Sequence, residues 1–150
     1  MNKTQQFCTF FLENLYFGIA VEQVQEVIRY QEMTRVPLAP RMIEGLINLR
    51  GQIVTAVDLR VRLEMEPRGH EEVPMNVVVR SSGGAVSLLV DTIGEVVEVD
   101  AADHEAVPPT VKGVARELIS GACKLQGKLL LILNMERTIE VGESATKPRG

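Results

Sequence analysis

Residues 45–59 read Gly-Leu-Ile-Asn-Leu-Arg-Gly-Gln-Ile-Val-Thr-Ala-Val-Asp-Leu, "GLINLRGQIVTAVDL". Two apolar runs flank Arg50-Gly51, and glycine tolerates the positive φ that a tight turn needs, so the stretch predicts strand, turn and strand. Residues 121–135, "GACKLQGKLLLILNM", follow the same plan, with Gly, Leu and Gly at 45, 49 and 51 and again at 121, 125 and 127. Upstream, "GIAVEQVQEVI" (18–28) aligns with "SLLVDTIGEVV" (87–97), and a Val-Pro pair follows in both halves, at Val36-Pro37 and Val107-Pro108. Matches in one order imply an internal duplication. Two similar all-β lobes follow from it, each too small to cover its strands unless its sheet curls into a barrel or packs on the other lobe. The run Leu129-Leu130-Leu131-Ile132-Leu133 agrees, because a strand apolar on both faces must be covered on both.

The rest of the chain fills in around these hairpins. "QQFCTFFL" and "LYFGIAV" flank Glu13-Asn14 and predict an opening hairpin, while "MNVVVR" and "AVSLLV" flank Ser81-Ser82-Gly83-Gly84 and predict another. Val21, Val24 and Ile28 recur at helical spacing, which predicts a short amphipathic helix or helical turn ending near Tyr30. "VPLAP" at 36–40 is an extended connector, since each proline lacks a donor and restricts its predecessor. A helical turn is expected over 60–65, and the tail "VGESATKPRG" (141–150), with little to bury, is expected to be disordered.

Composition narrows the function. The chain has 150 residues, of which 45% are apolar and 4% aromatic, enough for one domain with a Val-, Leu- and Ile-rich core. With 16 Lys plus Arg against 20 Asp plus Glu there is no dense basic run, which argues against nucleic acid as a partner. No apolar run reaches the length of a membrane helix and no signal-peptide core is present, so a cytoplasmic protein without direct membrane insertion is expected. Cys8 and Cys123 sit in strand-like runs without a histidine cluster and are expected to be reduced core residues, with no metal site. His70 and His104 lie in polar connectors beside no candidate nucleophile. No phosphate-cradling or nucleophile-elbow motif occurs, so neither an enzyme nor a bound cofactor is expected.

What stands out is an asymmetry between the halves. Arg50 and Asp58 of the first correspond to Gln126 and Asn134 of the second, so the topology itself does not demand the charges. Arg50 is either a solvated hairpin-tip residue paired with a nearby acid, or a cation beside an apolar groove, where its planar fork anchors a partner. Val24, between Glu22 and Glu26, is either core or the margin of that groove.

The motifs "YFGIAVEQVQEVI", "TRVPLAPRMIEGLINLRGQIVTAVDLR" and "GKLLLILNMERTI" together resemble the CheW family of chemotaxis coupling proteins, over Gln6 to Ile139. The resemblance implies an all-β fold with short helices: two interlocked five-stranded SH3-like barrels in a single domain over 1–140, with one lobe near 15–75 and the other formed by 76–140 plus the N-terminal strand. It implies a non-enzymatic adaptor, recruited to membrane-associated receptor arrays. Its partners would be chemoreceptor hairpin tips, the regulatory domain of a CheA-type histidine kinase, and further CheW copies. Carried over by motif, Arg50 would line the receptor groove between the lobes with Val24 as its apolar companion, and Glu26, Gly45, Gly51 and Asp58 would belong to the partner surface. Little chain follows Ile139, which leaves little room for the family's C-terminal helix. A contrasting expectation is a small barrel that binds a small molecule between its lobes.

Overall fold

The computed structural model describes residues 4–146, with side chains through Glu140. Strands β1 (Thr4–Leu12) and β2 (Leu15–Ala20) form the opening hairpin, turning at Glu13 with φ 55°. Of the helix or helical turn expected from Val21 to near Tyr30, the structure has a single 3₁₀ turn, Val21–Gln23, which leads into a strand, β3 (Val24–Ile28). The reason is a bulge: β3 pairs antiparallel with β6 (Met75–Ser81), and its register slips between Val24 and Glu26. One extra residue in a strand converts a two-residue apolar period into one that imitates helical spacing. Cross-strand pairing and β-branched side chains then decide the outcome.

Strands β4 (Ile43–Leu49) and β5 (Gln52–Asp58) form the hairpin read from residues 45–59, with Arg50 at φ 51° and Gly51 at φ 88°. Two successive positive φ values give the turn whose twist suits a two-residue hairpin. The short helix α1 (Leu59–Arg62) follows, within the helical turn expected there. The second half repeats the order with β6, β7 (Gly84–Val90) and β8 (Thr92–Asp100). The two-residue β9 (His104–Glu105) and α2 (Gly113–Leu118) follow, then the hairpin β10 (Ile119–Leu125) and β11 (Lys128–Leu133). Gln126 at φ 40° and Gly127 at φ 82° make the turn that matches Arg50-Gly51.

These strands form a six-stranded sheet in the order β8-β1-β2-β11-β10-β9 and a five-stranded sheet in the order β3-β6-β7-β5-β4. The five-stranded sheet therefore joins the β6–β7 hairpin of the second half to β3–β5 of the first, and the six-stranded sheet joins the β1–β2 hairpin of the first half to β8–β11 of the second. Short pieces extend both outer edges: β9 pairs with β10, and Thr34 bridges to Leu46 on β4. The expected interlocked lobes are present, but sheet membership crosses the expected boundary near residue 75. β2 belongs with β1 and β11, while β6 and β7 belong with β3–β5. Local hairpins stay together, whereas β3 and β8 leave them for the other sheet, and that long-range choice leaves no mark in local periodicity.

Among the described residues, three apolar clusters form the core. Phe10, Phe17, Ile19, Val77, Leu88, Leu131 and Leu133 join residues of both sheets in one shared core. Ile47, Val54, Val78 and Leu89 fill the five-stranded sheet, and Phe7, Val99, Cys123, Leu130 and Ile132 fill the six-stranded one. β11 is thus covered on both faces, with Leu131 and Leu133 in the shared core and Leu130 and Ile132 in its own lobe.

Buried Thr55, on β5, has a side-chain hydroxyl with no hydrogen-bond partner among the described residues. Replacing an unpaired buried hydroxyl by a methyl removes its desolvation penalty, so Thr55→Val is expected to raise stability by roughly 1 kcal/mol. A denaturation midpoint that falls in this variant would show that the hydroxyl is paired in solution.

Helix α3 (Met135–Thr146) corrects two expectations about the C-terminus. A C-terminal helix is present and takes in the first residues of the tail expected to be disordered; residues 147–150 lie outside those described. Asn134 starts it, accepting from the Arg137 amide at 3.2 Å, while the Thr138 hydroxyl donates to the Asn134 carbonyl at 2.7 Å. Met135 and Ile139 pack into the shared core, an anchor the polar composition of the tail does not advertise.

Candidate functional site

Arg50 projects from the β4–β5 turn with a side chain 71% exposed, and it pairs with the Glu26 carboxylate, whose side chain is 23% exposed. The first alternative drawn from the sequence describes this geometry, a hairpin-tip cation paired with a nearby acid, and the acid belongs to the stretch matched by motif. β3 and β4 are opposite edges of the five-stranded sheet, so this pair brings the two edges of one sheet together. Both members of the pair belong to the lobe built on the five-stranded sheet. The Arg50 hydrogen bond, followed by one from Gln25 at 3.3 Å, holds the Glu26 carboxyl below the usual carboxylate range, and Glu26 in turn raises the Arg50 pKa. Val24, one turn of the bulge away, is half-buried against the shared core. Val24 and Glu26 thus share the β3 edge, and Arg50 reaches that edge through Glu26.

The glycines of the motif have structural work beside it. A Cβ on Gly45 would stand 2.7 Å from the Thr34 carbonyl oxygen and 2.9 Å from the Met33 Cβ. Thr34 and Leu46 exchange backbone hydrogen bonds of 2.9 and 2.8 Å at this point, so the crowding falls on main chain that cannot yield cheaply. Gly45→Ala is expected to cost about 1 to 3 kcal/mol as an overpacked site, with a fall in melting temperature as the measurement; an unchanged melt would mean the 33–34 segment moves freely. Gly51 is needed for its φ of 88°, and the space around it is open.

Asp58 does not join the cluster. It lies at the far end of β5 from Arg50, roughly 20 Å away at the rise of an extended strand, and it is 7% exposed. Its carboxylate caps α1 by accepting from the Arg60 amide at 3.1 Å and pairs with Arg68 at 3.1 Å. Its counterpart Asn134 caps α3, so this position is a helix start in both halves, and a short polar acceptor is what it requires.

Asp58 opens onto an ion network that the sequence reading missed. Asp91 stands between β7 and β8, where the chain passes from one sheet to the other. It receives Arg60 Nε at 2.9 and 3.1 Å, Arg68 Nε at 2.8 Å and the Glu13 amide at 2.7 Å. The Arg60 and Arg68 side chains are each 7% exposed, and Glu13 and Glu72 flank Arg60 at 3.6 and 3.5 Å. Burial opposes ionisation of Asp91, but the bonds from Arg60, the Glu13 amide and Arg68 hold its carboxyl below the usual range. The signal available was an Asp closing each of two buried strands, in "AVDLR" and "LLVDT", with Arg68 in a linker that reads as solvated.

Two curled sheets laced through each other, with an exposed cation on one hairpin tip braced by a carboxylate from the opposite edge of the same sheet, define a twin SH3-like barrel domain. The chain belongs to the CheW-like domain family, whose model matches residues 6–143. It is 30% identical over 141 residues to the chemotaxis protein CheW of Klebsiella aerogenes, across 94% of this chain and 85% of that one. The chemotaxis protein CheW of Treponema pallidum is 26% identical over 136 residues, across 88% and 80%. The crystal structure of the scaffolding protein TtCheW from Thermoanaerobacter tengcongensis superposes with a TM-score of 0.82 at 28% identity, over 96% of this chain and 93% of that one. The family resemblance and the two-lobed all-β fold drawn from the sequence both stand.

Proposed function

We propose that this chain is a non-enzymatic adaptor that couples the cytoplasmic hairpin tips of methyl-accepting chemoreceptors to the regulatory domain of a CheA-type histidine kinase. It acts in the cytoplasm, gathered at membrane-associated arrays, and none of its described helices is long and apolar enough to cross a membrane. The observation that carries the proposal is the Arg50–Glu26 pair: an exposed guanidinium held by a carboxylate on the same strand that carries half-buried Val24, in a lobe whose twin has Gln126 at the matching turn. A planar, pre-oriented guanidinium recognises a carboxylate or carbonyl through paired donors while the adjoining apolar edge receives a helical partner. Co-purification from the native host with identification of the captured proteins tests the reading. Recovery of receptors and a histidine kinase is the expected result; recovery of neither overturns it.

A second reading is favoured by an apolar cavity of about 400 Å³ between the lobes, lined by Leu15, Phe17, Leu63, Met65, Val111 and Ile119. That volume lies in the range of small-molecule sites. A bound metabolite retained in native mass spectrometry would support it.

A further inference from the structure

Arg80, near the end of β6, turns its guanidinium back across the sheet. Its Nη1 donates to two main-chain oxygens, that of Glu22 at 2.9 Å and that of Val24 at 3.0 Å. These carbonyls straddle the junction between the 3₁₀ turn and β3. Strand β3 pairs on one side only, and its ladder is broken by the bulge after Val24, so its start is the least constrained part of the edge that presents Val24 and Glu26. A cation holding two carbonyls with one residue between them supplies the constraint the bulge removes.

The internal duplication provides a control within the molecule. β8 pairs with β1 as β3 pairs with β6: Val24 faces Val79 and Val27 faces Val77, while Ile93 faces Phe10 and Val96 faces Cys8. Arg80 therefore answers to Phe11, whose ring stacks on Tyr16 at 4.9 Å and lies 5.2 Å beneath the Lys128 ammonium. Phe11 has no side-chain donor, and among the described residues no cation bonds the main chain of the equivalent edge, where the neutral Thr9 hydroxyl donates to the Glu95 carbonyl. Like Arg50 against Gln126, Arg80 is a cation found only in the lobe that carries the candidate site.

We infer that Arg80 is a positioning residue, fixing the β3 edge so that Val24 and Glu26 meet a protein partner already in their bound arrangement; this rests on the adaptor reading. Removing it leaves both carbonyls free to take water, so the fold loses little and binding loses pre-organisation. The test compares the full chain with Arg80→Gln and Arg80→Lys in two measurements. Binding is measured against the purified cytoplasmic hairpin of a chemoreceptor from the same host, and amide hydrogen exchange across Val24–Ile28 is measured on the free proteins. The expected result is a roughly five- to tenfold weaker Kd for Arg80→Gln with faster exchange in β3, and partial recovery of both by Arg80→Lys, whose single ammonium reaches fewer acceptors. Melting temperatures should stay within about 2 °C. Unchanged exchange in Arg80→Gln overturns the positioning role whatever the binding shows, and faster exchange with unchanged affinity overturns its link to recognition. If the natural chain itself ignores the receptor hairpin while β3 exchange quickens in the variant, the positioning role survives and the adaptor reading falls.

Discussion

Asp91→Ala is expected to lower the unfolding free energy by about 3 to 5 kcal/mol, the cost of leaving buried charges without their partner. The variant strips the acceptor shared by the Arg60 and Arg68 guanidinium groups, both nearly excluded from solvent, and releases the Glu13 amide as well. For a domain whose whole stability is about 5 to 15 kcal/mol, such a loss is severe. It corresponds to a fall of roughly 10 °C or more in melting temperature at this chain length. Asp91→Asn, which retains one acceptor of similar shape, should lose less. A calorimetric difference below about 1 kcal/mol for Asp91→Ala would show that Asp58, Glu13 and Glu72 already satisfy the two arginines. The same network gives a pH dependence of defined sign. The Asp91 carboxyl is held below its unfolded value, so its contribution is fully present above the ordinary carboxylate pKa of about 3.9 and disappears as pH falls through the lower, folded value. In Asp91→Asn the part of acid destabilisation due to this residue should vanish.

Arg50→Glu should have the largest effect on recognition. It places a carboxylate opposite Glu26 and reverses the charge offered to a partner, and like charges in contact cost several kcal/mol across an interface, a loss of about 100-fold or more in affinity. The fold should survive. The natural pair is largely exposed, so its own contribution to stability is small, and a glutamate already accepts this backbone geometry at Glu13, with φ 55°. Arg50→Gln copies the residue of the twin turn and should melt like the natural chain while binding at an intermediate level. Capture of receptor hairpin and kinase regulatory domain by Arg50→Glu at natural strength would remove Arg50 from the partner surface.

The sequence displayed the elements governed by neighbours in the chain and hid those governed by distant contacts. Each tight hairpin was visible because a turn residue suited to positive φ interrupts two apolar runs. The double coverage of Leu129–Leu133 was visible because no polar residue breaks it. The 21–30 segment misled because the bulge at the start of β3 shifts the apolar positions by one. Arg50 and Glu26 were each singled out, but not their pairing, since barrel closure alone brings residues of opposite sheet edges together. Asp58 looked like the companion of Arg50 because both differ from the second half, whereas it is a helix cap like Asn134. Arg68 was hidden by its setting: in "EPRGHEEVP" it looks solvated, and only the folded linker turns it inward to Asp91 and Asp58.

The passage of β3 and β8 between sheets bears on how such a molecule arises. A half-length chain of this design lacks the strands that finish its own barrel and gains them only by trading with a second copy, so the present polypeptide is equivalent to a domain-swapped homodimer fused end to end. Neither half is then an autonomous folding unit, and the chain should melt in one cooperative step.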